Sequence, residues 1–394
     1  FRGGLLYQPE NRRIMPNGLL ARRTIGYITE DTLANIVGIE GSFNSYLAGK
    51  DGLKVQQRLT GGAWIDVDNL GTIHARPGND IVTTIDLDLQ DATENALYKQ
   101  LVKHKAHHGC AVVMEVKSGD IKAIANLETG SDGLYHETYN YAVGESTEPG
   151  STFKLMSMIV ALEDGVIDLH DTINTGDGTV KYYDKVIRDH EDKGLGKITA
   201  REVFEHSSNV GTAKIIYDNY KDNPRRYVDR LCSMMINKPL GLQIKGEGKP
   251  VIRAPGDKLW SGVSLPMMSY GYEVQMTPLQ ILTFYNAVAN GGRMVKPRFV
   301  TEVRDGNRVV KSFGTEVITN AICSRSTIRK AQSLLEGVVE DGTAKNLKNS
   351  NYKIAGKTGT AQIANARHGY RSGSGISYQA SFVGYFPADN PLYS

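Results

Sequence analysis

Three short segments of this chain carry residue types that together could transfer an acyl group. Ser151-Thr152-Phe153-Lys154 opens an apolar run, Ser207-Ser208-Asn209 comes later, and Lys357-Thr358-Gly359-Thr360 falls on a strand-like stretch. A serine hydroxyl is a weak nucleophile until a neighbouring base takes its proton. Residues three apart on a helix share a face, so Ser151 and Lys154 can bring a hydroxyl and an amine within reach of each other. Glu148-Pro149-Gly150 supplies a turn in front. Phe153, Leu155, Met156, Ile159, Val160 and Leu162 make the following helix apolar on most faces, which predicts burial. Gly165 offers that helix a stop. Ser151 therefore stands at a helix start, where unpaired backbone N–H groups and the positive dipole end favour developing negative charge.

Each motif also occurs elsewhere in the chain. Ser350-Asn351-Tyr352-Lys353, Ser42-Phe43-Asn44 and Lys117-Ser118-Gly119 repeat the same patterns. Ser350 sits in a polar loop with no helix to hold its lysine in register. Lys117-Ser118-Gly119-Asp120 lies between the strand-like runs 111–116 and 121–125 and reads as a hairpin turn. The first set differs by its order and its setting: a buried helix start, a second helix, then an apolar strand opening at Ile354-Ala355-Gly356.

That ordered set is shared by serine β-lactamases and penicillin-binding proteins, and the chain resembles a class B penicillin-binding protein along nearly its whole length. Pro77-Gly78-Asn79-Asp80-Ile81-Val82-Thr83-Thr84-Ile85-Asp86 is similar to the segment that opens the family's transpeptidase domain. Glu148 to Lys154, Met276-Thr277-Pro278-Leu279-Gln280, Ser381 to Pro387 and, earlier, Gly38 to Asn44 resemble further family segments. The resemblance implies an α+β fold, a penicillin-binding/serine β-lactamase-like transpeptidase domain with an antiparallel sheet flanked by helices. A small β-rich N-terminal pedestal over 1–75 would precede this domain over 76–394.

The implied activity is peptidoglycan D,D-transpeptidation. Ser151 would attack the carbonyl between two terminal D-alanines of a stem peptide, Lys154 would accept its proton, and Ser207 would relay that proton to the leaving amine. Asn209 would hold the substrate amide and Lys154. Lys357 and Thr358 would receive the substrate carboxylate, and the N–H groups of Ser151 and Thr360 would form the oxyanion hole. Gly359 would keep the strand open to a substrate lying along it. Lys154 must be neutral to act, and burial together with the charge of Lys357 would lower its pKa. Two other readings compete: hydrolysis, as in a carboxypeptidase or β-lactamase, and a penicillin-binding sensor or scaffold without turnover. The long gap between Asn209 and Lys357 and the extra pedestal weigh against a compact β-lactamase.

Composition narrows the rest. At 394 residues and 40% hydrophobic, the chain can bury one large core or two moderate ones. A net charge of +3 without a dense Lys/Arg stripe argues against nucleic acid. Cys110, Cys232 and Cys323 have no metal or disulfide spacing. His104, His107 and His108 lack an acidic or thiol pattern to complete a zinc site, so no metal and no cofactor is expected. No run is long enough to span a bilayer. Phe1 is not an initiator methionine, and the resemblance implies a bacterial inner-membrane protein with its catalytic domain in the periplasm, its anchor absent from this chain. The implied partners are stem peptides ending in D-Ala-D-Ala, β-lactams, and division or elongation proteins including a glycosyltransferase. The Glu148-Pro149-Gly150 lead-in leans toward division.

Further elements follow from local patterns. Thr24 to Ile28 reads as a strand, 87–103 as a helix, and helices are predicted from Ser151, from Ala200, over 224–236, 278–290 and 326–339. Thr277 before Pro278 marks a capped helix start. Strands are expected over 299–304, 354–361 and 378–386, the last two pairing, with a Gly/Ser-rich loop at 371–375 beside the site. Residues 388–394 read as a turn, with the domain incomplete at its C-terminus and the 378–386 strand left with an uncovered edge.

Overall fold

Several helices of the described residues start at side chains that accept the otherwise unpaired first N–H groups. The structure, a computed structural model, describes residues 13–27, 37–62, 64–67, 71–190, 194–362 and 378–394. The predicted loop at 371–375 lies outside them. In chain order, strand β1 (Asp80–Thr83) leads to helix α1 (Leu87–His104), whose cap Asp86 accepts from Asp88 and Leu89. Strands β2 (His108–Met114) and β3 (Ile121–Thr129) form the expected hairpin, with Lys117-Ser118-Gly119 in its turn.

Helix α2 (Lys154–Glu163) is buried on nearly every side. Its walls include α3 (Ala200–Glu205), opened by a Thr199/Glu202 capping box, and α4 (Asn209–Tyr220), capped by Ser208. Helix α5 (Pro278–Ala289) has the Thr277/Gln280 capping box and Pro278 at its first turn. Strand β4 (Val300–Asp305) pairs with β1. Helix α6 (Arg325–Glu340) then precedes β5 (Ala355–Gln362) and β6 (Tyr378–Tyr385), which pair antiparallel with Lys357 opposite Val383 and Thr360 opposite Ala380. One core of Phe153, Met156, Ile159, Phe204, Ile216, Phe284, Leu334 and their neighbours joins α2 to the helices and strands around it. Strands and helices thus segregate into the α+β arrangement that the sequence suggests.

Residues 392–394 pair with the ends of β2 and β6. Ser394 and Met114 exchange backbone hydrogen bonds of 2.9 and 2.8 Å, and Phe386 pairs with Tyr393. Residues 392–394 therefore do not merely form a turn: they bridge the end of β6 and the end of β2. Ser394 Oγ also donates to Asn286 Oδ1 on α5 at 2.8 Å. Tyr378 and Phe382 of β6 are exposed.

Before Asp80, the described residues include helices Arg22–Ile25, Gly38–Ser42 and Asn44–Leu47, and a two-stranded pairing of Gln56–Arg58 with Trp64–Asp66. Thr24 and Ile25 of the strand read over 24–28 are thus helical, Gly26 and Tyr27 are irregular, and Ile28 lies outside the described residues. Left-handed Ala21 (φ 51°) before the turn and Gly26 (φ 92°) after it bound a single helical turn that β-propensity at Thr24 and Ile25 does not register.

Candidate active site

Ser151 is half-buried and lies in a 3-10 turn, Gly150–Phe153, that runs straight into α2. The sequence reading placed it in the α-helix itself. The 3-10 geometry keeps Ser151 and Lys154 on one side, because residues three apart eclipse. Gly150 has φ 55°, and a Cβ there would lie 3.1 Å from the Thr360 carbonyl and 3.0 Å from Ala361 Cβ. The turn thus passes directly along β5. Tyr285 of α5 braces it by donating to the Thr152 carbonyl at 2.8 Å.

Lys154 is fully buried. Its Nζ donates to the Ser207 carbonyl at 2.6 Å and to Asn209 Oδ1 at 2.7 Å, and lies 3.2 Å from Ser207 Oγ. All three partners belong to the Ser207–Asn209 segment. Among the described residues no hydrogen bond joins Ser151 Oγ to Lys154 Nζ, so the reach that helical spacing allows is not used in this state. Catalytic hydrogen bonds are often long before substrate arrives.

Lys357, also fully buried, donates from Nζ to Ser207 Oγ at 2.8 Å and to the Thr358 carbonyl at 3.0 Å. Its amine lies 5.7 Å from the centre of the Phe204 ring. Burial pushes the Lys357 amine down to about 7. Lys154 is pushed well below the ordinary lysine value, chiefly by burial and further by the charge of Lys357, while Asp189 acts in the opposite direction. These are the two causes expected from the sequence.

Ser207 joins α3 to α4 in the left-handed region, with φ 56°. A non-glycine residue there needs support, and the neighbours supply it. Ser207 N donates to the Phe204 carbonyl and Ser208 N to the Val203 carbonyl. Asp189 accepts from Ser208 Oγ at 2.8 Å and from Val210 N at 2.9 Å. Asn209 Nδ2 donates to the Arg188 carbonyl at 2.8 Å, which turns its Oδ1 toward Lys154. Ser208, not Asn209, caps the helix, so the Asn209 side chain is free for Lys154. Asp189 was missed in the sequence: it follows the short strand Lys185–Arg188, and no local pattern ties it to Ser207.

Along β5 the residues alternate. Lys357 and Gly359 are buried, Thr358 is half-buried and Thr360 exposed. A Cβ on Gly359 would fall 2.4 Å from Ser381 Oγ and 2.9 Å from Thr152 Cγ2. Glycine therefore has a packing reason at this position, where β5 meets the nucleophile turn and β6. Ser350-Asn351-Tyr352-Lys353 lies in a helix-free segment, and Ser42 in a short helix far along the chain.

The assembled chemistry is one hydroxyl beside a buried pair of amines linked through a second hydroxyl. A neutral Lys154 can satisfy its two N–H groups on the Ser207 carbonyl and Asn209 Oδ1, which leaves its lone pair to accept a proton. Ser207 Oγ, accepting from Lys357, can donate its own proton to Lys154. Among the described residues no group of three or more His, Cys, Asp or Glu side chains is placed to hold a metal ion.

Residues 109–394 match the penicillin binding protein transpeptidase domain. The chain belongs to the penicillin-binding protein transpeptidase family, as a class B member. It is 29% identical over 400 residues to penicillin-binding protein PbpB of Mycobacterium tuberculosis, covering 98% of this chain and 57% of that protein. With the peptidoglycan D,D-transpeptidase FtsI of Escherichia coli K12 it shares 26% identity over 400 residues, covering 99% and 63%. The chain thus spans less than two thirds of the length of either. The ligand-free crystal structure of penicillin binding protein 3 from Mycobacterium tuberculosis has a TM-score of 0.80 at 27% identity, covering 97% of this chain and 82% of that one. That protein is also known in complex with aztreonam and with ampicillin.

Proposed function

We propose that this chain is the catalytic part of a serine-type peptidoglycan D,D-transpeptidase. The observation that carries the reading is the convergence of Lys154, Ser207, Asn209 and Lys357 around one buried point, with Ser151 one turn ahead of Lys154 on the same segment. The names of its relatives support the substrate class.

Ser151 Oγ attacks the carbonyl between two terminal D-alanines of a stem peptide and passes its proton to neutral Lys154. The N–H groups of Ser151 and Thr360 stabilise the oxyanion. The proton moves from Lys154 through Ser207 to the leaving nitrogen, the C–N bond breaks, and D-alanine departs. The acceptor is an amine of a neighbouring stem peptide. It attacks the acyl-enzyme, gives up a proton along the same route, and restores Ser151. Lys357 supplies the cation and Thr358 the hydroxyl for the terminal carboxylate.

A β-lactam would enter the same path and stop at the acyl-enzyme. The family context supports a domain that works outside the cytoplasm beside a membrane anchor, with partners in division. Among the described residues no helix is long and apolar enough to cross a membrane. The experiment is the fate of the acyl group: a D-alanyl thioester donor is supplied with and without a D-amino acid. Transfer to the amino acid supports the reading; hydrolysis alone, unchanged by the amine, refutes it.

A further inference from the structure

Thr343 lies outside all three motifs, yet its Oγ1 is 2.6 Å from Thr358 Oγ1. It follows the end of α6, where Gly342 allows a close approach: a Cβ there would fall 2.3 Å from the Glu205 carbonyl. Thr343 N donates to that same carbonyl at 3.1 Å, and Ala344 N donates to the Val338 carbonyl at 3.0 Å. Glu205 closes α3, two residues before Ser207. The backbone of Thr343 is therefore held to the Ser207 segment while its side chain reaches the β5 strand.

We infer that Thr343 is a positioning residue that aims the Thr358 hydroxyl at the substrate carboxylate, a role that rests on the function proposed above. Each hydroxyl has one proton. The bond between the two threonines uses one proton, and the other stays available at the open side of β5. The two hydroxyls form a chain in which the inner bond polarises the outer O–H, strengthening its donation to an anion. Lys357 Nζ donates to the Thr358 carbonyl and to Ser207 Oγ, so it leaves the Thr358 hydroxyl to Thr343. Without Thr343 the Thr358 side chain loses the partner that fixes its rotamer.

The test measures acylation of Ser151 by benzylpenicillin and by its methyl ester, which lacks the anionic carboxylate. The readout is the acid-to-ester rate ratio within each variant, which a change in the folded fraction cannot alter. Thr343→Val should lower this ratio about 5- to 30-fold, a part of the roughly 10- to 150-fold that one hydrogen bond to a charged group is worth, because Thr343 acts through Thr358. Thr343→Ser should restore most of it. A ratio in Thr343→Val equal to that of the parent, or one that Ser fails to restore, would overturn the assignment. A parent chain that acylates but does not discriminate acid from ester would also overturn it, through Thr358 and Lys357. Absence of any Ser151 adduct would instead strike the proposed function itself.

Discussion

Lys154 and Lys357 are both fully buried, and one hydroxyl, Ser207 Oγ, lies 3.2 Å from the first amine and 2.8 Å from the second. Two ammonium groups so close in a dry site repel, and each desolvates at a cost. The arrangement therefore favours one proton fewer than two isolated lysines would hold. That shortage is what makes Lys154 a base near neutral pH, and it can be read out in three ways besides the fate of the nucleophile.

Replacing Lys154 with Ala should slow acylation of Ser151 by a penicillin by on the order of 10²–10⁴, the usual worth of a positioned base. Stopped-flow measurement separates the acylation step from initial binding, which should change far less. Acylation at the parent rate would assign the base to another residue.

Lys357 also leaves a mark on stability. Its folded-state pKa is lowered to about 7, below the ordinary 10.5. Between these values the unfolded chain binds more protons, so stability rises with pH from about 7 toward 10.5, and the cost is fully present below 7. Lys357→Met removes this cost and also relieves Lys154. The variant should melt above the parent at pH 7, with the difference shrinking as pH approaches 10. A difference in Tm that does not vary with pH would contradict the lowered pKa of the buried Lys357 amine.

Asp189 holds the Ser208–Val210 segment and raises the pKa of Lys154. Asp189→Asn keeps the shape and removes the charge, so Lys154 should lose its proton more easily. The acid limb of the acylation profile should move to lower pH. Asp189→Ala should also cost roughly 1–3 kcal/mol of stability through its unpaired partners. An acid limb that stays in place in Asp189→Asn would disconnect Asp189 from Lys154.

Gly359→Ala places a methyl group against Thr152 and Ser381. Overpacking of this kind costs about 1–3 kcal/mol, so denaturant unfolding should show a lower midpoint. An unchanged midpoint with reduced acylation would favour a substrate path along β5 over packing.

How much of this could be read from the residues varies by the range of the interaction that fixes them. Helices 278–289 and 200–205 are legible because caps, proline and apolar spacing lie within a few positions of one another. The three motifs could be recognised because each keeps its chemistry in a short run. Asp189 and Thr343 could not, since each acts through a contact made only when distant segments meet. The left-handed Ser207 was equally hidden: nothing in Ser207-Ser208-Asn209 signals a positive φ, and the surrounding hydrogen bonds impose it. The ladder at Ser394 joins residues 280 positions apart, beyond the reach of any local pattern.

The central claim is that Ser151 is the nucleophile and that its acyl group persists until an amine takes it. Intact mass followed by peptide mapping after exposure to benzylpenicillin tests this directly. The account predicts a single long-lived adduct on the peptide containing Ser151, lost in Ser151→Ala. An adduct on Ser350 or elsewhere, or none on Ser151 in folded protein, would contradict it.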